Sequence, residues 1–289
     1  MQDFEAILNI RDRVQESPIW APKEGKLYWI DWETHRLFRC DPTSEPVERW
    51  EMPEAIGCLV MREGGGCMLA LASGFFTFDP DSSAIERVVR THEGEIDLEL
   101  NDGKCDRAGR FWAGSMQTPP RESKAALFRL DPDRSCHRMP FGLVIANGIA
   151  FSPDNRVMYY GDSGTRRIMA CSYDIETGAI GEPRVFAEVE APGVPDGATV
   201  DAEGFLWSAE FNGWRLTRYD PDGRVERRLE VPVKQPTSCI FGGTNHDILF
   251  ITTARLKLTP EEETGQPLAG SLLACDVGVG GLPEPAFAG

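Results

Sequence analysis

Apolar and polar positions alternate with a period of two in short runs along most of this chain, and windows with helical spacing are scarce. The runs recur as a unit. It first reads IWAPKEGKLYWIDWETHRLFRCDP, residues 19–42, and then CLVMREGGGCMLALASGFFTFDPD, 58–81. A third copy is KCDRAGRFWAGSMQ from Lys104, resuming as ALFRLDPD at 126–133, and a fourth is AFSPDNRVMYYGDSGTRRIMACSYD from Ala150. The fifth is ATVDAEGFLWSAE with WRLTRYDPDG, ending at Gly223, and the sixth is CIFGGTNHDILFITTAR from Cys239, resuming near SLLACDV at 271–277.

Each unit has one grammar: an apolar strand, a tight turn such as DRAG, SPDN or DAEG, a second strand carrying aromatics, a longer loop, and a third strand ending in DP or YD. Turn residues Gly25, Gly65, Gly109, Asn155, Gly204 and Asn245 lie about 40–50 residues apart, the period of propeller blades. Gly and Asn at these places supply the positive φ that tight turns need. One such sheet cannot bury both of its faces, so six of them predict an all-β, six-bladed β-propeller, with residues 1–289 as a single domain. The alternating stretch FEAILNI, residues 4–10, is expected to complete the last blade and close the ring. Residues 118–125 and 258–270 are polar, Pro- and Gly-containing excursions that read as surface loops and candidate lids.

Composition narrows the partners. The 289 residues carry a formal net charge of −16, against the basic patches that nucleic acid or an anionic membrane surface would need. No stretch approaches the ~20 apolar residues of a membrane span, and the first residues, MQDFEAILNIRDR, do not resemble an export signal. A cytoplasmic protein, monomeric or a small homo-oligomer, is the expectation. The eight cysteines show no CxxC pairing and sit mostly in apolar segments, so reduced, buried thiols are expected.

The chemistry lies where the repeats differ. The residue entering the first strand is Asp196 in unit five, Asn147 in unit four and Asn101 in unit three, each eight positions before its turn residue. In unit one Glu16 stands nine before Gly25, because that turn is one residue longer; units two and six place Gly57 and Thr237 there. Equivalent positions of a propeller lie at one height around its channel, so Glu16, Asn101, Asn147 and Asp196 are expected to converge at one mouth. Four oxygen-bearing side chains, two of them carboxylates, suit one hard divalent cation such as Ca²⁺, Mg²⁺ or Mn²⁺, with Zn²⁺ left open. The four histidines occupy none of these positions, which leaves a Ser-His-Asp or Cys-His mechanism without support. No GxxxxGK[ST] or HExxH is present.

At these residues the chain resembles the sugar-lactonase family of gluconolactonase, regucalcin and bacterial xylonolactonase. The matching segments are ESPIWAPKEGKLYWID (16–31), NDGKCDRAGRFWAGSM (101–116), ANGIAFSPDNRVMYYGDS (146–163), PDGATVDAEGFLWSA (195–209) and PTSCIFGGTNHDILFITTAR (236–255). The resemblance implies a six-bladed propeller that hydrolyses cyclic sugar esters to aldonic acids. It implies a divalent ion, Ca²⁺, Zn²⁺, Mn²⁺ or Mg²⁺, on Glu16, Asn147 and Asp196, and substrate contact by Asn101. Asp196 is expected to double as the base, and Asp102 to assist Asn101 in orienting the substrate. Many members carry Arg two residues before this Asn, whereas Glu99 stands here. Glu99, Arg121 (or Glu122) in the short loop that follows, and Glu210 after the second strand of unit five are therefore expected to tune specificity. A paraoxonase-like esterase of aryl or organophosphate esters, and a non-catalytic calcium-binding propeller, are the alternatives.

Overall fold

The structure is a computed structural model, and it describes residues 3–95, 97–119 and 122–289, with the side chains of residues 8 and 9 left aside. Six antiparallel sheets follow one another along the chain. Blade one consists of Gln15–Ala21, Lys26–Asp31, Arg36–Asp41 and Ser44–Glu51, in that order from the inside out. Blades two to five occupy residues 56–90, 98–138, 146–188 and 194–230. Blade six takes three strands from residues 236–275 and its outermost strand, Glu5–Arg11, from the other end of the chain. Glu5 pairs with Ala274 and Ile7 with Leu272, so the predicted closure by the N-terminal strand holds. Each inner strand lies against the inner strands of both neighbouring blades, and the ring is continuous.

Burial falls from the channel outward. Inner strands Ala146–Phe151 and Pro236–Gly242 are buried at every position, whereas the outermost strand Val225–Glu230, sequence VERRLE, is mostly exposed. Even the polar residues of an inner strand such as PTSCIFG are therefore buried, while the outer strands carry the charge. Trp29, Trp112 and Trp207, from second strands, are fully buried between blades. In two units the turn Asp caps the Trp six residues on: Trp112 Nε1 donates to Asp106 Oδ2, and Trp207 Nε1 to Asp201 Oδ2, each at 2.9 Å.

The predicted turn residues Gly25, Gly65, Gly109, Asn155 and Gly204 all take positive φ. In blade six the positive φ values fall at Gly243 (83°) and His246 (56°), on either side of the predicted Asn245. The excursion at 258–270 is not wholly irregular. Pro260–Gly265 is a short α-helix whose N-cap Thr259 and Glu262 form a reciprocal capping box, a T-x-x-E signal present in the sequence. All eight cysteines are free thiols, seven buried and Cys136 half-buried. Among the described residues no helix is long and apolar enough to cross a membrane.

Candidate active site

The strand-entrance residues lie inside the inner strands rather than ahead of them. Asp196 belongs to Val194–Val200, Asn147 to Ala146–Phe151, Asn101 to Leu98–Cys105 and Glu16 to Gln15–Ala21. Every one of these strands breaks register there: between Glu16 and Ile19, Leu100 and Gly103, Asn147 and Ala150, and Pro195 and Ala198. A bulge re-aims one side chain while the ladder resumes beyond it. The repeat thus carries a bulge at one height, and the bulge residue varies from blade to blade.

Close approach of the blades depends on the small residues beside these positions. Gly148 has φ +57°, and a Cβ on it would stand 2.7 Å from the Asp196 carbonyl oxygen. Gly57, the blade-two equivalent, sits so near blade three that a Cβ would lie 2.4 Å from the Asn101 carbonyl oxygen. The blade-six equivalent Thr237 is turned to structural use, its hydroxyl donating to the Gln15 carbonyl.

Glu16, Asn101, Asn147 and Asp196 line one pocket at a channel mouth, about 650 Å³ of empty space counted to its opening. Val14, Trp32, Met116, Ile145, Val194, Phe211 and Leu256 form an apolar collar above them, and Ser163 completes the lining. A chain of hydrogen bonds fixes the polar floor. Asn101 Nδ2 donates to Asn147 Oδ1 and to the Ala146 carbonyl, each at 3.0 Å. Asn147 Nδ2 donates to Ser163 Oγ at 2.9 Å, and the Ser163 hydroxyl donates to the Pro195 carbonyl at 2.7 Å. The chain runs from blade three to blade five and ends beside Asp196. Both Asn101 amide hydrogens are engaged, so its carbonyl oxygen is the atom left to accept a hydrogen bond from a ligand.

The carboxylates are electrostatically opposed. Burial pushes the pKa of Glu16 well above the usual carboxylate value, and the charges of Asp196 and Asp102 push the same way. Burial does the same to Asp196, with Asp102 adding to it. Glu16 keeps a partial opening to solvent through the pocket, whereas Asp196 is 7% exposed. Burial also raises Asp102, offset by the Lys104 ammonium and by backbone amides, including Ile149 N–H, which donates to Asp102 Oδ2 at 3.3 Å.

This donor set fits a hard cation: two crowded carboxylates that repel one another and an amide oxygen held in place from behind. Among the described residues no three His, Cys, Asp or Glu side chains come together as a metal group, so a cation here would need the amide oxygen of Asn147 as a third donor.

The other predicted residues are placed differently. Asp102 does not line the pocket; it faces a deeper cavity of the channel, together with Lys104. Glu99 is outside the lining, and its Oε1 accepts from the Thr118 hydroxyl at 2.6 Å. Glu210 does not line the pocket. It is 1% exposed, receives Arg215 Nε at 2.8 Å and is hydrogen-bonded by the Thr217 hydroxyl. Its strand neighbour across the ladder is Pro195, so it takes Pro195's face of the sheet rather than that of Asp196. Arg121 lies outside the described residues, and Glu122 is exposed and paired with Lys124 at 2.9 Å. Ser163 and the collar were not predicted. Ser163 follows Asp162 in the GDS segment, a weak signal, whereas most of the collar follows the repeat: Val14, Ile145 and Val194 stand two positions before Glu16, Asn147 and Asp196, and Trp32, Met116 and Phe211 seven after Gly25, Gly109 and Gly204.

The family model described as "SMP-30/Gluconolactonase/LRE-like region" matches residues 14–255. The chain belongs to this family. It is 37% identical over 276 residues to 6-deoxy-6-sulfogluconolactonase of Pseudomonas putida, covering 95% of this chain and 94% of that one. It is 34% identical over 289 residues to L-arabinolactonase of Azospirillum brasilense, with 98% and 95% covered. Among solved structures it superposes on regucalcin of Agrobacterium tumefaciens, described as a calcium-binding protein, with a TM-score of 0.94, 25% identity, and 99% and 97% of the two chains covered.

Proposed function

We propose that this protein hydrolyses a sugar lactone to its aldonic acid, using one divalent cation held by Glu16, Asn147 and Asp196. The observation that carries the reading is the convergence of these three oxygens and Asn101 on one pocket, in a family whose relatives include named sugar lactonases. Bound there, the cation would supply Lewis-acid polarisation of the ring-ester carbonyl and acidify water.

The chain's own residues do the rest. The Asn101 carbonyl oxygen accepts a hydroxyl of the sugar, and the fixed Asn101–Asn147–Ser163 chain keeps that acceptor in one orientation. Trp32, Met116 and Phe211 wall the pocket, limiting water around the reacting ester. The Asp196 carboxylate takes a proton from the attacking water as its oxygen bonds to the carbonyl carbon. It returns that proton to the ring oxygen when the C–O bond breaks, so the ring opens to a hydroxy acid with atoms balanced.

The charge of the pocket bears on the substrate. Glu16 and Asp196 are its only charged lining residues among those described, and a 2+ ion balances them. Glu99 then adds negative charge near the rim, favouring neutral polyhydroxylated lactones over those carrying an acidic group. Which sugar, which ion and which oligomeric state belong to the protein are measurable directly. The deciding assay strips the ions with a chelator and follows acid release from a panel of aldonolactones with each divalent ion restored in turn. Turnover that vanishes and returns supports the reading. An ion that binds without any lactone being hydrolysed leaves a calcium-binding propeller instead.

A further inference from the structure

After Cys275 the chain does not stop at the edge of blade six. Residues 277–289 cross the far end of the channel, opposite the pocket. Gly281 bridges to Asp201 of blade five, and Ala202 N–H donates to the Gly280 carbonyl at 2.9 Å. On the other side Phe287 exchanges backbone hydrogen bonds with blade two, its N–H to Met61 O at 2.8 Å and its carbonyl from Glu63 N–H at 2.9 Å. Ala288 N–H donates to Gly109 O of blade three at 3.0 Å, and the Phe287 side chain is fully buried in the core shared by blades one to three. The segment is a strap tying distant blades together.

Glu284 is the one ionisable side chain in the strap, set between Pro283 and Pro285. Its Oε1 receives Lys104 Nζ at 3.1 Å and the Thr199 hydroxyl at 3.3 Å, with both members of the ion pair largely buried. Lys104 Nζ also donates to the Ala198 carbonyl at 3.0 Å. Lys104 stands two residues after Asp102, and Ala198 two after Asp196, so the ammonium is fastened to two of the strands that carry the acidic floor. A purely structural plug would be apolar, because burying a charge pair costs about as much as the pair returns.

We propose that the strap, through Glu284, holds Lys104 as a neutralised countercharge beneath the site and thereby sets the affinity of Glu16, Asn147 and Asp196 for the divalent cation. Glu284 is a positioning residue here and touches no substrate. Without it, Lys104 presents an unbalanced positive charge to an incoming cation inside a channel of low dielectric. The inference rests on the cation site proposed above.

The test is calorimetric titration of the chelator-stripped protein with Mn²⁺ and Ca²⁺ at pH 8, for wild type, Glu284→Gln, Lys104→Met and the double variant, with folding verified by circular dichroism. Glu284→Gln is expected to weaken binding roughly tenfold, Lys104→Met to tighten it several-fold, and the double variant to return to about the wild-type Kd. Unchanged affinity in a folded Glu284→Gln chain overturns the inference, as does a double variant as weak as that single one. Should Glu284→Gln not fold, Lys104→Met carries the same test with the opposite sign, and an unchanged Kd there overturns it equally. A wild-type protein that binds neither ion defeats the cation site itself, a separate outcome.

Discussion

Asn101 Nδ2 donates to Asn147 Oδ1 across 3.0 Å, and this bond joins blade three to blade four at the floor of the pocket. It pins the amide oxygen that a cation would use, from behind. Such outer partners cost about 10- to 100-fold in metal affinity or activity when removed. Asn101→Ala and Ser163→Ala are each expected to lose that much in cation affinity while remaining folded. Asp196→Ala, which removes both a ligand and the proton acceptor, is expected to abolish lactone turnover. Acid-release kinetics beside cation titration check the set, and wild-type rates from Asp196→Ala would sink the assignment.

The sequence showed this floor because repetition fixes register. Asp196, Asn147 and Asn101 each stand eight positions before their turn residue, and that spacing survived as a shared bulge height. The same logic failed for Glu210, because proximity along the chain does not tell which face of the ladder a side chain takes; pairing with Pro195 decides that. It also stopped at Asp102, whose neighbour Asn101 shares the bulge but faces the other cavity. Trp32, Met116 and Phe211 each stand seven positions after their turn residue, so the same repeat spacing reaches them, whereas the Lys104–Glu284 pair spans 180 residues and no spacing could have joined it.

Gly148 is the residue on which the approach of blade four to blade five turns. Gly148→Ala places a Cβ 2.7 Å from the Asp196 carbonyl oxygen and holds a non-glycine residue at φ +57°. A loss of about 1–3 kcal/mol is expected, the usual cost of a strained backbone position. Urea denaturation measures it. Because the clash is with Asp196 itself, cation affinity should fall in parallel; a variant as stable as wild type would show that the two strands have room to separate.

Glu99 is the lever for charge selection. Glu99→Arg reverses a charge near the rim and releases Thr118 from its 2.6 Å bond. The ratio of kcat/KM for an acidic lactone over a neutral one of the same ring size is expected to rise about tenfold, equivalent to ~1.4 kcal/mol of discrimination. An unchanged ratio would place Glu99 outside the reach of the substrate.

Cation removal should be visible without any substrate. Without the ion the floor leaves Asp196 buried, Glu16 half-buried and the two mutually repelling, and an ion that binds only the folded chain stabilises it by mass action. At a free ion concentration of 100 times Kd this amounts to about 2.7 kcal/mol. Chelator is therefore expected to lower Tm, and restored ion to raise it again with concentration. For Asp196→Ala the two melting curves should coincide.

His92 supplies an acid-sensitive element independent of the pocket. Its ring packs edge-on against Phe128, centroids 4.9 Å apart, and burial lowers its pKa from 6.5 to about 4. The folded chain therefore keeps this imidazole neutral while the unfolded chain protonates it below pH 6.5. The unfolded state binds the extra proton, so the stability tied to His92 is complete above pH 6.5 and is lost as the pH falls toward about 4. His92→Phe removes the titration and keeps an aromatic ring against Phe128. Urea midpoints measured from pH 7.5 to 4 should fall more steeply for wild type than for His92→Phe, the gap opening below about pH 6.5. Parallel curves would mean that the folded site accommodates the imidazolium as readily as water does.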